Sequence, residues 1–253
     1  MASDRLAAAV HSLPAPWQGH YFDTVDSTQD QARAAARNGA PTRSIFVADF
    51  QRTGRGRAAR HWFAAPGSSL LVSILFRERL DSWAPRPWRY TSLASLAMLE
   101  TIAPLAPSAS VAIKWPNDIM LDDRKVAGVL AETRWNGREL QAVVGVGLNV
   151  SAGPLEEEAH GATSLQSASA TAIDRGDLLL TFVSHLEVLL GQPDQLVHDL
   201  WASRLWRRGQ RLRLIDGAEE QDVVVLGAGP DGSLRVRDPD GCERTTVTGE
   251  LLA

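Results

Sequence analysis

The residues best suited to chemistry stand in one segment, Gln51 to Trp62, which contains four arginines and two glycines. Guanidinium groups keep their charge, and their planar donors match the oxygens of phosphates and carboxylates. Glycine lets the backbone approach a ligand closely. The flanking segments 44–48 and 69–76 are apolar and predict buried strands. We therefore expect a basic, flexible loop that holds an anion, although a solvated basic loop explains the arginines alone equally well.

A second polar group, Lys114-Trp115-Pro116-Asn117-Asp118, separates two short apolar segments. Proline, asparagine and aspartate are common in turns, so a plain hairpin turn is one explanation. An ammonium, an amide and a carboxylate within five residues also suit a phosphate, and Asp118 beside a phosphate would be a ligand for Mg²⁺. Lys125 begins the next apolar strand. If its side chain points inward, it stabilises negative charge.

Glycines in two predicted strands indicate a close approach of a ligand or another backbone. Gly128 lies within the strand predicted over 125–132, where glycine costs stability. Gly145 and Gly147 are two residues apart and share one face of the strand predicted over 140–150, and Asn149 follows on that face. A face without side chains predicts a flat floor for a planar ligand.

Ser27 and Thr28 precede an alanine-rich helix predicted over 31–38. Ser27 with Asp30 three residues later resembles a capping box, which is the commoner reason for a serine at this place. The same hydroxyls and unpaired N–H groups also suit a polar ligand. The two roles are compatible.

The remaining pattern predicts an α+β chain in two parts. We expect a mixed sheet flanked by helices over residues 1–207 and a small barrel-like β domain over residues 208–253. Helices are predicted over 2–13, 90–102, 177–190 and 194–206, connections over 83–88 and 151–172, and C-terminal strands over 211–215, 221–226, 233–237 and 244–247.

Composition excludes several functional classes. The net charge is −4, so the arginines mark a local site and no wide basic face for nucleic acid is expected. The single cysteine, Cys242, permits no internal disulfide and fits a cytoplasmic location. No signal peptide is visible, and no apolar segment reaches the roughly 18 residues that span a bilayer.

Common catalytic and nucleotide-binding motifs are absent from the sequence or lie in the wrong context. The residues Gly227, Gly229 and Gly232 match a dinucleotide fingerprint, but a strand follows them where a helix is required, so we interpret them as a hairpin loop. There is no P-loop, no zinc-hydrolase motif and no serine-hydrolase elbow.

Five motifs in order resemble the biotin protein ligase (biotin–[acetyl-CoA-carboxylase] ligase) family, over about residues 20 to 150. They are Asp26-Ser27-Thr28, Gln51 with Gly54-Arg55-Gly56-Arg57-x-x-Arg60-x-Trp62, Lys114 to Asp118, Lys125-x-x-Gly128-x-x-x-Glu132, and Gly145-x-Gly147-x-Asn149-Val150. The resemblance implies a class II synthetase-like catalytic domain and a small SH3-like C-terminal domain. Some members carry an N-terminal DNA-binding domain. With about 20 residues before the first predicted strand, we expect no such domain and no DNA binding here.

The resemblance implies activation of biotin by ATP and Mg²⁺ to biotinyl-5′-AMP, then transfer to a lysine of a biotin carboxyl carrier protein. The implied biotin-binding residues are Ser27, Thr28, Gln29, Gln51, Gly54, Arg55, Gly56, Arg57, Lys125, Gly128, Leu130 and Gly145. The implied ATP or adenylate contacts are Arg55, Arg57, Trp62, Lys114, Asn117 and Asn149. The implied catalytic residues are Arg57, Lys114, Asp118 and Lys125, with Asp118 the metal ligand. Gln29 departs from the asparagine of many relatives.

Two alternatives remain open at this point. A lipoate or octanoate ligase shares the fold, but its arginine-arginine and glycine-glycine-glycine-alanine-valine signature is missing. A non-catalytic biotin-binding module would not need Lys125 and Asp118 beside the arginines. The sequence leaves open whether the chain forms a homodimer, which carrier it serves, which group acts as general base, and whether the tail after Glu250 contacts ATP.

Overall fold

The main part of the chain is built on one seven-stranded sheet in a computed structural model, which describes residues 5–79, 87–137, 139–151 and 161–252. The first nine strands of the chain are β1 (Gln18–Val25), β2 (Ser44–Gln51), β3 (Gly54–Arg55), β4 (His61–Trp62), β5 (Ser69–Arg79), β6 (Val111–Lys114), β7 (Asp118–Leu121), β8 (Arg124–Asn136) and β9 (Glu139–Asn149). The sheet order is β1-β2-β5-β9-β8-β7-β6, and β3 pairs with β4 separately. The β1–β2 pair is parallel and the other pairs are antiparallel, which confirms the predicted mixed sheet.

Helices cover both faces of this sheet. They are α1 (Leu6–His11), α2 (Thr28–Arg37), α3 (Pro87–Ile102), α4 (Arg175–Leu190) and α5 (Asp194–Ser203). Neighbouring residues of a strand point to opposite faces. Leu75 and Val143 therefore pack under α2, whereas Ile74 and Val144 belong to the larger core that holds the other four helices. Placing α2 alone on its face leaves room beside its N-terminus for a cavity.

The predicted helix boundaries differ from the structure at several ends. The first helix covers Leu6–His11 of the predicted 2–13, and residues 2–4 lie outside the described residues. The last one ends at Ser203 instead of residue 206. Of the connection predicted over 83–88, residues 87 and 88 belong to α3 and the rest lie outside the described residues. The described part of the predicted loops, 151 and 161–172, contains one short 3-10 turn, Leu165–Ala168.

The C-terminal part forms an all-antiparallel sheet of five strands. They are β10 (Arg211–Asp216), β11 (Glu219–Ala228), β12 (Leu234–Arg237), β13 (Glu243–Thr246) and β14 (Glu250–Leu252), in the order β13-β12-β11-β10-β14. The sequence did not predict β14. Within the described part, the edge strands β13 and β14 do not pair with each other, so the sheet stays open, an arrangement consistent with the SH3-like prediction. The motif at Gly227 to Gly232 is the loop of the β11–β12 hairpin, as predicted.

The two parts share one buried core and polar contacts at one seam. Leu212, Leu214 and Val225 belong to the same apolar cluster as the helices of the main part. At the seam, Trp115 Nε1 donates to Gly232 O at 3.0 Å, in the turn between β11 and β12. The small sheet is therefore fixed against the main part. None of the helices in the described ranges is long and apolar enough to cross a membrane.

Candidate active site

The arginine-rich segment folds into a small hairpin in which each arginine contacts an acceptor from another segment. Strands β3 and β4 pair, and a 3-10 turn over Arg57–Ala59 joins them. The contacts are Arg52–Asp26 at 3.1 Å, Arg55–Asp30 at 3.0 Å, Arg57 Nη1 to Asn117 Oδ1 at 3.1 Å and Arg60–Glu250 at 3.0 Å. These contacts hold the hairpin across the mouth of a cavity of about 140 Å³.

One end of this cavity, which we call the site cavity, is neutral and polar. Gln51 Oε1 accepts from Thr28 N at 2.7 Å and from Thr28 Oγ1 at 3.0 Å. Thr28 Oγ1 lies 2.8 Å from Ser73 Oγ, which donates to Gln29 Oε1 at 3.1 Å. Thr28, Gln29 and Ser73 are almost fully buried. A closed hydrogen-bond network of this kind fixes the positions of its groups and suits an uncharged polar ligand group.

The predicted capping box at Ser27 is wrong. Ser27 is the N-cap of α2, but its side chain makes no capping hydrogen bond, and Asp30 pairs with Arg33 and Arg55 instead. Ser27 Oγ is buried, lines the site cavity and has no hydrogen-bond partner among the described residues. An unpaired buried hydroxyl costs free energy. A bound ligand group is the natural partner for this oxygen.

Gln29 closes the neutral end of the site cavity. Its amide nitrogen donates to Val143 O at 3.1 Å and to Glu132 at 3.0 Å, and its oxygen accepts from Ser73. A Cβ atom on Gly145 would lie 2.6 Å from the Gln29 oxygen. Gly145 is therefore required by the Gln29 side chain, which covers it.

The other end of the site cavity is charged. Lys125 Nζ forms an ion pair with Asp118 at 2.8 Å, and a short turn joins Asp118 to Lys114, the last residue of β6. Burial lowers the pKa of Lys114, partly offset by the negative charges of Asp118 and Glu250. Among the lining residues, five cations (Arg55, Arg57, Arg60, Lys114, Lys125) face two anions (Asp118, Glu250). An excess of positive charge in a cleft attracts anionic groups such as phosphates.

Glu250 brings the C-terminal sheet into the site cavity. Burial of the Glu250 carboxylate acts to raise its pKa. The hydrogen bond from Arg60 and the positive charges of Arg60, Lys114 and Lys125 outweigh burial, so the pKa of Glu250 is lowered. The carboxylate is thus held in its charged form between the hairpin and the lysines. The unpredicted strand β14 is what places it there.

The predicted flat floor is occupied by an aromatic ring of the chain itself. A Cβ atom on Gly147 would lie 2.6 Å from the Trp62 ring, and one on Gly128 would lie 3.3 Å from it. Lys125 Nζ lies 5.7 Å from the centre of the same ring. The two glycines let the indole lie flat on the sheet, between the neutral end and the lysines.

Comparison with known proteins identifies the family. The model of the biotin/lipoate A/B protein ligase family matches residues 21–149. This chain belongs to that family. It is 34% identical to the bifunctional ligase/repressor BirA of Bacillus subtilis over 88% of this chain and 70% of the relative. It is also 34% identical to a biotin–[acetyl-CoA-carboxylase] ligase of Mycobacterium tuberculosis, over 83% of this chain and 79% of the relative.

Solved structures of biotin protein ligases share the fold. The Aquifex aeolicus enzyme in complex with biotin and ATP matches with a TM-score of 0.74 and 23% identity, over 92% of this chain and 96% of that one. The Leishmania major enzyme in complex with biotinyl-5-AMP matches with a TM-score of 0.63 and 22% identity, over 93% and 100% of the two chains.

The site cavity of this member of the ligase family collects nearly every residue that the sequence singled out. Of the predicted residues, only Gly54 and Asn149 do not line it. Gly54 packs against the backbone of Trp62, so its small size serves the hairpin. Asn149 is buried and donates to Thr163 O at 3.1 Å.

Sequence reasoning missed several lining residues. They are His61, Leu71, Val72, Ser73, Trp115, Pro116, Val129, Val146 and Glu250, none of which was predicted as a ligand-site residue. Ser73 carried a usable signal, because it is a polar residue inside the apolar segment 69–76. Glu250 carried none, since its approach depends on how the small sheet docks.

The only two lysines in this family member are Lys114 and Lys125, beside 24 arginines. Both line the site cavity. Wherever a cation is needed elsewhere, the chain uses arginine. The lysine side chain ends in a compact ammonium group, and burial readily changes its pKa. The guanidinium of arginine stays charged under the same conditions. Both lysine ammonium groups of the chain therefore stand at the site cavity.

The Glu250 carboxylate is expected to control the titration of Lys114. Glu250→Gln removes one of the negative charges that raise the pKa of Lys114, so the midpoint of its titration should move to lower pH. Reductively ¹³C-methylated protein would give two lysine side-chain signals, assigned with Lys114→Arg. The exposed Glu187→Gln on α4 is the control, because Glu187 likewise pairs with an arginine, Arg43, but does not line the site cavity. An unchanged midpoint for Lys114 in Glu250→Gln would contradict the electrostatic effect of Glu250 on Lys114.

Proposed function

We propose that this chain is a biotin protein ligase that activates biotin with ATP and transfers it to a lysine of a biotin carboxyl carrier protein. One observation carries the proposal: the site cavity has a neutral hydrogen-bonding end, a charged end and a flat aromatic group between them. Biotin has a neutral ureido ring at one end and a carboxylate at the other. Relatives named biotin–[acetyl-CoA-carboxylase] ligase, together with the family assignment, support this choice of substrate.

The neutral end would hold the ureido ring. Ser27 Oγ supplies the unpaired hydroxyl, and Thr28, Gln51 and Ser73 form the fixed network around it. Gln29 would act as the end wall, because both ends of its amide are already hydrogen-bonded within the protein. We therefore propose that Gln29 makes van der Waals contact with biotin and no hydrogen bond to it.

The charged end would carry out the first half-reaction. A biotin carboxylate oxygen bonds to the α-phosphorus of ATP, the bond to the β-phosphate oxygen breaks, and pyrophosphate leaves with that electron pair. Arg57, Lys114 and Lys125 would neutralise the charge that develops on the phosphate oxygens. Trp62 would pack against adenine from its place on Gly147.

Transfer completes the reaction. The amine nitrogen of the acceptor lysine bonds to the acyl carbon, the carbon–oxygen bond to phosphate breaks, and AMP leaves with that pair. The lysine ammonium loses two protons to solvent on its way to the amide. The hairpin with its four arginine contacts would exclude water from the anhydride in the meantime.

Asp118 is suited to bind the Mg²⁺ ion that accompanies ATP. Its carboxylate stands at the charged end beside Lys125. Among the described residues, no three Asp, Glu, His or Cys side chains lie close enough together to bind a metal ion by themselves. Mg²⁺ commonly takes one or two carboxylates and completes its shell with phosphates and water. Bound Mg²⁺ would neutralise phosphate charge, while Asp118 orients Lys125.

The decisive test is exchange of labelled pyrophosphate into ATP, with biotin, lipoate and octanoate as parallel substrates. We expect exchange with biotin and none with the two acyl acids. Exchange with lipoate or octanoate alone would assign the chain to the sister ligases. Tight biotin binding without exchange would instead favour the binding module. We also propose a cytoplasmic location, in keeping with the free, exposed Cys242.

The arginine hairpin should become resistant to trypsin when biotin and ATP are bound. It carries four cleavage sites, Arg52, Arg55, Arg57 and Arg60, three of which line the site cavity. Ligand contacts at these arginines would hold the hairpin closed. Mass spectrometry of timed digests would follow these cuts, with cleavage after the exposed Arg211 as the internal reference. Equal cleavage rates in both states would contradict closure.

A further inference from the structure

A second cavity, of about 220 Å³, adjoins the site cavity. Residues from α3, α5, β8 and the turn between β11 and β12 line it. Arg57 and Asn117 line both cavities and hydrogen-bond to each other at 3.1 Å. That pair therefore stands at the boundary between the two cavities. Nothing in the proposed binding of biotin or ATP uses the second cavity.

The wall of the second cavity is firmly held. Trp115 donates to Gly232 O at 3.0 Å, and His198 Nε2 lies 2.7 Å from Gly229 O. A Cβ atom on Gly232 would lie 2.5 Å from Trp88 Cβ, so the turn packs directly on α3. This turn is the glycine-rich motif over residues 227–232, which forms the loop of the β11–β12 hairpin. Its close packing gives the cavity a fixed shape.

The two cavities share part of their lining but differ in charge. The site cavity carries five cations against two anions, which repels an incoming ammonium group. The second cavity has one lining cation, Arg57, balanced by the exposed carboxylate of Asp231. The pKa of Asp231 is lowered by hydrogen bonds from the side chain and backbone of Ser233, so this carboxylate is charged. Trp88, Trp115 and Trp201 also line the second cavity, and aromatic faces attract cations and cover methylene chains.

We propose that the second cavity is the entrance through which the acceptor lysine reaches the acyl adenylate. This inference rests on the proposed ligase function and adds the path of the second substrate. Asp231 receives the ammonium group at the entrance, the tryptophans enclose the methylene chain, and the Arg57–Asn117 contact opens at the inner end. Biotin and ATP use the positively charged site cavity, and the positively charged acceptor uses the second one.

Two variants test the entrance in a transfer reaction from preformed biotinyl-5′-AMP to the carrier domain of an acetyl-CoA carboxylase. Asp231→Asn removes the charge but keeps an oxygen that accepts from Ser233 N. Asp240→Asn is the matched control, because Asp240 likewise accepts from the backbone N–H two residues later, at 3.0 Å, and lies outside the cavity. Thr91→Phe fills the second cavity from α3.

Asp231→Asn should raise the KM for the carrier about fivefold, the size expected for one partly exposed charge contact. Thr91→Phe should lower kcat/KM for the carrier at least tenfold. Hydroxylamine is small enough to reach the adenylate by either cavity, so its rate and the rate of pyrophosphate exchange should stay unchanged. They also show that the variants are folded.

Carrier kinetics that match the wild type in both variants would place lysine entry at the mouth of the site cavity and overturn the proposal. The same holds if Asp240→Asn has as large an effect as Asp231→Asn. A wild-type chain that forms no adenylate from biotin would overturn the ligase function and the entrance with it.

Discussion

Lys125→Ala is expected to lower the rate of adenylate formation by about 10²–10³-fold while biotin affinity changes little. Lys125 stands at the charged end, 2.8 Å from Asp118 and over the face of Trp62. It would therefore meet the developing phosphate charge, whereas the neutral end, proposed above to hold the ureido ring, is formed by other residues. Pyrophosphate exchange gives the rate, and calorimetry with biotin gives the affinity.

Arg124→Ala is the matched control for Lys125→Ala. Arg124 precedes Lys125 and also carries one positive charge, but its side chain hydrogen-bonds to Ala162 O outside the site cavity. The control should keep the wild-type rate. If both variants lost activity equally, or if Lys125→Ala lost biotin affinity and rate in the same proportion, the role of Lys125 in charge stabilisation would be rejected.

Gly147→Ala should raise the KM for ATP about tenfold or more, because loss of base stacking on an aromatic side chain costs about 1–3 kcal/mol. The new methyl group would lie 2.6 Å from the Trp62 ring, closer than any stable contact. The ring would have to leave the floor, and adenine would lose its partner. Thr28, Gln51 and Ser73 are untouched, so the Kd for biotin should stay within about twofold of the wild-type value.

Gly191→Ala provides the comparison for Gly147→Ala. Gly191 has right-handed backbone angles, and the atom nearest to an added Cβ is 3.6 Å away. This variant should bind and turn over ATP like the wild type. An unchanged KM for ATP in Gly147→Ala would show that Trp62 does not need the glycine floor to support adenine.

The parts of the site that could be predicted from sequence are those in which residue type and local spacing suffice. Four arginines between two apolar segments predicted a basic loop, which the structure shows as a small hairpin, and the alternation of a strand placed Gly145 and Gly147 on one face. Local spacing did not show what covers those glycines. Gln29 lies over Gly145 and Trp62 over Gly147, and both contacts join segments far apart in sequence.

The features that sequence reasoning missed depend on tertiary packing. The capping box at Ser27 was a local pattern, but Gln51 takes the first helical N–H at 2.7 Å and Arg55 pairs with Asp30. Long-range partners thus replaced the local ones. Strand β14 has three residues, too short for a periodic pattern, and it forms because Leu251 is buried in the shared core.

The confinement of lysine to the site cavity limits where the acyl adenylate can react with the chain itself. Biotinyl-5′-AMP acylates amines, and an intermediate that escapes into solution would modify any lysine it meets. On this chain the outer surface is populated by arginine, whose guanidinium stays protonated and is a poor nucleophile. An escaped adenylate therefore meets no lysine on this chain outside the site cavity, where the Lys125 side chain is 38% exposed. The lysine targets for self-acylation on this chain are thus limited to the two that line the site cavity.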